Sequence, residues 1–206
     1  MIDSDHIDAI IPRGGSALKK AISAIAKVSI LMTGAGVCNS IETLLIHKNY
    51  PHIDSLLKSL MSACAQLKVC SKTLELLETS NKADPLLNSF SLATEEDYAT
   101  EYLDLMLTVK LADNLDEATQ YIGMSSTGHS EAIITENLEE AELFLNTVDS
   151  ACVYHNASTR FTDGSCFGFG SEIGIATQKL HARGPMGLRE LTSYKYQIRG
   201  AGQVRI

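Results

Sequence analysis

Cys38 stands between a glycine-rich turn, Thr33-Gly34-Ala35-Gly36, and the stretch Asn39-Ser40-Ile41-Glu42, which can begin a short helix. A thiol at a helix N-terminus sits among unpaired backbone N–H groups at the positive end of the helix dipole, and this favours the thiolate. The same N–H groups can stabilise an oxyanion on an attacked carbonyl carbon. The alternative for a free cysteine is packing as a small apolar residue. Cys64 and Cys152 fall at core positions of predicted elements and read that way, while Cys70 and Cys166 have no supporting context. Arg13-Gly14-Gly15-Ser16, between a strand and a helix, can cradle a phosphate. It lacks the full dinucleotide or P-loop fingerprint, so a plain turn with Ser16 as helix cap is an equal reading. Arg160 and Arg183 lie in Gly-rich segments where a planar guanidinium suits a carboxylate or phosphate, although a surface arginine with no role is the commoner outcome. His47, His52, His129, His155 and His181 show no ligand spacing. The five cysteines are odd in number, scattered and never spaced C-x-x-C, which argues against a disulfide framework or a structural zinc site.

These residues need elements to hold them. Ile7 to Ile11 reads as a strand stopped by Pro12-Arg13-Gly14-Gly15, Ala17 to Lys27 as a helix, and Val28 to Met32 as a second strand. Thr43 to His47 is a short apolar run, and apolar residues at 53, 56, 57, 60, 64 and 67 predict a helix over Ile53 to Leu67. Leu105 to Lys110 reads as a strand, followed by an acidic-capped helix from Asp116. Ser130 to Thr135 is a strand, Asn137 to Val148 a helix, and Ala151 to Asn156 closes the series. Strands alternating with helices of about 10–15 residues predict a parallel α/β sheet. From Asn156 the character changes: Gly164, Gly168, Gly170, Gly174, Gly184 and Gly187 predict loops from Ser158 to Gly187, packed over the sheet. Ser193 to Ile206 alternates well enough for a hairpin or an added edge strand.

The 206 residues carry 17 Lys and Arg against 25 Asp and Glu, a net charge of −8, which argues against nucleic acid or an anionic membrane as the main partner. Apolar residues at 45% and charged residues at 20% are those of an ordinary globular chain, so disorder is not expected. No apolar run approaches the ~18 residues of a membrane span, and no cationic-then-apolar segment opens the chain. The expectation is a soluble, cytoplasmic protein with reduced thiols.

Several blocks together resemble one family. They are Ile11-Pro12-Arg13-Gly14-Gly15, Thr33-Gly34-Ala35-Gly36, Val37-Cys38-Asn39 with Glu42 to His47, Thr100-Glu101-Tyr102-Leu103-Asp104, His129-Ser130-Glu131-Ala132-Ile133, and the long run from Asn156 through Arg160 and Arg183 to Gly187. This pattern is similar to that of the γ-glutamyl phosphate reductases, of the aldehyde dehydrogenase superfamily. The resemblance implies an α/β fold: an aldehyde-dehydrogenase-like catalytic domain with a parallel-type sheet flanked by helices, plus the tail end of a Rossmann-like cofactor domain. Residues 1–31 would be the last strand–helix–strand of that nucleotide-binding domain, 32–156 the catalytic domain, and 157–206 the Gly-rich active-site loops with a C-terminal hairpin or oligomerisation strand.

Two departures accompany the resemblance. Family members are about twice as long, and between the Thr-Gly-Ala-Gly turn and the cysteine segment they carry a strand and a helix. Here Gly36 is followed at once by Val37, so either the chain has an internal deletion or its sequence joins two pieces.

The resemblance implies NADPH-dependent reduction of L-glutamyl 5-phosphate to L-glutamate 5-semialdehyde through a cysteine thioester, in proline biosynthesis. Cys38 would be the nucleophile. Gly14, Gly15 and Ser16 would face the cofactor diphosphate, and Glu101 its nicotinamide ribose, since a carboxylate can accept two hydrogen bonds from a diol. Asn39, Arg160 and Arg183 would meet the substrate. The glutamate with which oxidising aldehyde dehydrogenases activate water is replaced by Met32, as the reductive direction allows. A homo-oligomer with no metal is implied. The competing reading is a catalytically incompetent fragment that keeps the fold and the oligomer contacts.

Overall fold

The structure is a computed structural model, and it describes residues 9–10, 37–63, 66–80 and 90–205. The predicted helix over 17–27, the strand over 28–32, the glycine-rich turn over 33–36 and Cys64 lie outside the described residues, as does the 1–31 unit apart from Ala9 and Ile10.

The described residues form a seven-stranded sheet from β1 (Ala9–Ile10), β2 (Thr43–His47), β3 (Gln66–Val69), β4 (Phe90–Leu92), β5 (Met106–Ala112), β6 (Ser130–Ile134) and β7 (Cys152–His155). Their order is β4-β3-β5-β2-β1-β6-β7. All neighbours pair in parallel except β1, which runs antiparallel to both β2 and β6. Parallel pairing follows from the helical crossovers α1 (Ile53–Ala63), α2 (Ser71–Ser80), α3 (Leu115–Ser125) and α4 (Leu138–Thr147). No helix among the described residues is long and apolar enough to cross a membrane.

Helices cover both faces of the sheet, so its central strands read as apolar runs without alternation. On one face Ile53, Leu56, Leu57, Leu60 and Met61 of α1, with Leu77 of α2, pack on Leu44, Ile46, Leu67, Leu107, Val109 and Leu111. On the other, Leu115, Ala118 and Ile122 of α3, with Phe144 of α4, pack on Leu45, Ala112 and Ile133. Helices α3 and α4 start where the sequence places an asparagine. The Asn114 Oδ1 accepts from the Glu117 N–H (2.9 Å), and the Asn137 Oδ1 accepts from the N–H groups of Glu139 (3.0 Å) and Glu140 (3.3 Å). Acidic residues in each first turn complement the helix dipole.

Three expectations need correction. The helix predicted over Ile53 to Leu67 ends at Ala63. Leu67 falls in phase with the helical stripe, yet it belongs to β3, where alternate residues Leu67 and Val69 are buried. The glycine-rich block is not wholly irregular: β8 (Gly174–Ala176) and β9 (Gly184–Met186) pair antiparallel as a small separate ribbon. Third, no hairpin forms over 193–205, and no strand edge among the described residues pairs with that stretch. Tyr194, Tyr196, Ile198 and Val204 alternate in sequence but stand exposed, because alternation makes a strand only when a neighbouring edge supplies hydrogen bonds.

Candidate functional site

Cys38 does not start a helix. Residues 37–40 form a turn closed by the Ser40 N–H on the Val37 carbonyl (2.8 Å), with the Val37 N–H on the Ser40 Oγ (3.4 Å). The chain then enters β2 after two residues. The apolar run Leu44-Leu45-Ile46, fully buried between β5 and β1, claims this stretch for the sheet. The helix-dipole argument for the thiol therefore does not apply, and the polar groups around the turn come from elsewhere in the chain.

They come from the segment after β7. Asn156 turns the chain there with φ +51°, a left-handed conformation that asparagine tolerates better than most residues. Its side chain fixes the corner by accepting the Thr135 N–H (3.0 Å) and donating to the Thr135 carbonyl (2.8 Å). The following residues make a 3-10 turn, Thr159–Phe161, capped by Ser158, whose Oγ accepts the Arg160 N–H (3.2 Å). This segment grips Asn39, which is only 5% exposed. The Asn39 Nδ2 donates to the Thr162 carbonyl (3.0 Å), the Thr159 hydroxyl donates to the Asn39 carbonyl (3.0 Å), and Arg160 Nη1 donates to the Asn39 Oδ1. So Asn39 and Arg160 meet, beside Cys38, although 121 residues separate them in sequence.

Of the cysteines described, Cys38 and Cys166 are exposed. Cys70 is buried with its Sγ 3.0 Å from the Thr73 hydroxyl. Cys152 is half-buried, and burial pushes its thiol up despite the hydroxyls of Thr162 and Tyr154. Cys70 and Cys152 are thus packing residues, as their sequence context implies for Cys152. Cys166 belongs to a turn whose N–H groups, its own (3.1 Å) and that of Ser165 (2.8 Å), donate to the Asp163 Oδ1.

Arg183 is bonded elsewhere, although its charge acts on the Cys152 thiol. Its Nη1 donates to the Asp149 carboxylate (2.7 Å) and its Nη2 to the Asp149 carbonyl (2.6 Å). Lys179 pairs with the same carboxylate, and these two cations hold its pKa below the usual range. Arg183 thereby ties the β8–β9 ribbon to the corner between α4 and β7. Two acids of the Gly-rich block are engaged locally: Asp163 closes its own turn, and the Glu172 Oε2 accepts the Gly164 N–H (2.7 Å).

Glu101 is exposed on the loop between the 3-10 turn Asp97–Ala99 and β5. Its neighbour Tyr102 is anchored: the hydroxyl lies 2.8 Å from the Thr108 Oγ1 and donates to the Asp97 Oδ1 (3.0 Å). The Thr94 backbone N–H, which donates to the Asp97 Oδ2 (2.7 Å), is the main reason that the Asp97 pKa falls to about 2. Thr100 lines a cleft shared with Glu42, Thr43, Tyr121, Ser126 and the buried Glu131. Thus the residue before Glu101 and the residue four after Cys38 border one cavity. Gly14, Gly15 and Ser16 lie outside the described residues, as does the Gly36 side of the Gly36–Val37 join.

The sequence reading did not mark Thr159 or Thr162 individually. Both are buried in the fold, and the signal available in the sequence was only that two threonines flank Arg160.

No protein-family model matches the chain. Among curated proteins, the γ-glutamyl phosphate reductase of Clostridium tetani is 45% identical to it, over 98% of this chain and 54% of that protein. The γ-glutamyl phosphate reductase of Francisella philomiragia is 46% identical, over 97% and 53%. Among solved structures, the γ-glutamyl phosphate reductase of Thermotoga maritima superposes with a TM-score of 0.74 at 41% identity, covering 94% of this chain and 44% of that one. The chain spans about half the length of the curated relatives it matches. The Clostridium tetani alignment runs over 232 positions against the 206 residues here, so at least 26 positions inside it have no counterpart in this chain.

Proposed function

Because the chain is homologous to γ-glutamyl phosphate reductases along nearly its whole length, we propose that it carries the thiol and anion-binding part of such an enzyme, reducing L-glutamyl 5-phosphate to L-glutamate 5-semialdehyde with NADPH. The observation that carries this reading is the exposed Cys38 on a turn whose next residue, Asn39, is bonded to Arg160. In the proposed reaction the Cys38 thiolate attacks the acyl carbon, and the C–O bond to phosphate breaks. Inorganic phosphate leaves with that electron pair, and a thioester remains on Sγ. The nicotinamide cofactor, when bound, supplies the hydride that converts the thioester to aldehyde, and Cys38 leaves as thiolate. No water has to be activated, in keeping with Met32 at the place of the hydrolytic glutamate. Arg160 presents a guanidinium bonded to Asn39, a group whose planar fork suits a phosphate or carboxylate oxygen. Among the described residues, Glu101 has the chemistry that suits a ribose diol, and its exposure leaves room for one.

The half-length match and the positions missing inside it favour a second reading, an inactive fragment that retains the fold. One experiment separates the two. The purified chain is given glutamate 5-semialdehyde, inorganic phosphate and NADP, and reduced nicotinamide is followed by absorbance. Phosphate-dependent turnover that disappears in Cys38→Ser supports the reductase. A folded chain that neither turns over nor binds NADPH in a fluorescence titration establishes the fragment.

A further inference from the structure

We propose that Thr162 is the positioning residue for the Cys38 turn, acting through Asn39. Thr162 is fully buried, and each of its polar groups serves a different part of the molecule. Its hydroxyl lies 2.7 Å from the Ser130 Oγ of β6 and 2.8 Å from the Tyr154 hydroxyl of β7. Its carbonyl accepts the Asn39 Nδ2 (3.0 Å), and its N–H donates to the Thr159 carbonyl (2.9 Å), which closes the turn that carries Arg160. Behind it the chain of polar groups continues, with the His129 Nδ1 2.7 Å from the Ser130 Oγ.

A threonine hydroxyl has one donor and two acceptor positions, so it can donate to one neighbouring hydroxyl while accepting from the other. Thr162 is thus locked to two paired strands at one end and to the residue after Cys38 at the other. The turn itself has the Ser40-to-Val37 backbone bond and lacks the ladder of a helix or strand. Part of its order is therefore borrowed from β6 and β7, and Thr162 is the residue that bonds both to those strands and to Asn39, beside the bonds from Thr159 and Arg160. Burial explains why the link is costly to break: removing the hydroxyl takes one partner from the buried Ser130 Oγ, which keeps His129, and one from the half-buried Tyr154 hydroxyl.

The role as positioner of a nucleophile rests on the reading of Cys38 proposed above, but the link can be tested without turnover. Hydrogen–deuterium exchange with mass spectrometry is measured on this chain, comparing Thr162→Val, which keeps the branched shape, with Thr162→Ser, which keeps the hydroxyl. Amides of residues 39–42 are expected to exchange about tenfold faster in Thr162→Val, the factor produced by losing one buried hydrogen bond. Those of β2 and β5 should be unchanged, and Thr162→Ser should restore the slow exchange. Should Thr162→Val fail to fold, Tyr154→Phe removes the other end of one bond, and about threefold faster exchange confined to the same amides is expected. In parallel, iodoacetamide labelling of Cys38, referred to Cys166 in the same sample, should change in rate in Thr162→Val and return in Thr162→Ser. Unchanged exchange at the turn, an equal rise across all strands, or no rescue by serine overturns the proposal. Absence of turnover in the parent chain would count against the reductase reading alone.

Discussion

Replacing Asn39 by alanine removes two of the three bonds that tie the Cys38 turn to the segment after β7. The Nδ2 bond to the Thr162 carbonyl is a neutral, buried one with net worth of about 1 kcal/mol, and its loss leaves that carbonyl without this donor. The bond from Arg160 is charge-assisted and nominally worth about 1.5–3 kcal/mol, but the half-exposed guanidinium can be rehydrated, so about 1 kcal/mol is a better figure. The Thr159 bond goes to the Asn39 carbonyl and survives. The sum is a destabilisation of about 2 kcal/mol, which for a chain of this size lowers Tm by about 4–8 °C. The assay is thermal unfolding followed by circular dichroism, repeated with Arg160→Ala and with both changes together. The two single effects should overlap, so that the double variant loses about 1 kcal/mol less than their sum. A Tm within about 2 °C of the parent, or strict additivity of the two changes, would refute the claim that Asn39 and Arg160 form one unit.

The remaining expectations concern other parts of the same scaffold. Asn156→Ala should cost about 2–4 kcal/mol, from a left-handed φ without asparagine's tolerance and the loss of both bonds to Thr135. Asn156→Gly, which relieves only the φ, should cost about 1 kcal/mol less; urea denaturation measures both. Arg183→Lys should make the β8–β9 ribbon a faster target for limited proteolysis while leaving any KM for phosphate unchanged, since both Nη atoms bond Asp149; a raised KM at unchanged proteolysis would place Arg183 at the substrate site. The Asp97 pKa is lowered from 3.8 to about 2, so its contribution to stability is fully present above about pH 4 and disappears as pH falls towards 2. Asp97→Asn should therefore flatten the acid limb of stability against pH in that window, and an unchanged limb would contradict the assignment.

The elements that lean on local signals were legible before any coordinates. Leu115–Ser125 and Leu138–Thr147 have a helical stripe and acidic first turns, although the first of them is capped by Asn114 and not by an acid, and the strand between them is buried along its whole length because both sheet faces are covered. Errors arose where a local signal had two uses. Leu67 fits the α1 stripe and the β3 alternation alike, and the three-dimensional partner decides. Asn39-Ser40 are good helix-capping residues, yet five residues of β2 beside them have a better place between β5 and β1, so the same polar side chains stabilise a turn. The pairing of Asn39 with the segment after β7 bridges 123 residues to Thr162, and no periodicity in the sequence encodes it. Cys38 and Arg160 stood out by residue type and context and Asn39 by family resemblance, and the meeting of Asn39 with Arg160 is visible only in the fold.

The geometry at Cys38 is the end of a causal chain that starts in the core. Phe144 and Ala141 of α4, both buried, seat that helix on the sheet, and the crossover it makes forces β7 to lie parallel to β6 with Ser130 opposite Cys152 and Ala132 opposite Tyr154. That register brings the Ser130 and Tyr154 hydroxyls to a common point at Thr162. A slip of one residue would turn each side chain to the opposite face and separate the two hydroxyls. The Asn156 corner then sends the chain back across the sheet, so that Thr159, Arg160 and Thr162 arrive together at Asn39. Precision at the thiol therefore comes from strand register, fixed by burial, and not from a helix cap. It follows that core substitutions under β6 and β7 which leave the global fold intact should still loosen the Cys38 turn, whereas equal-sized substitutions under β3 and β4, at the far side of the sheet, should not.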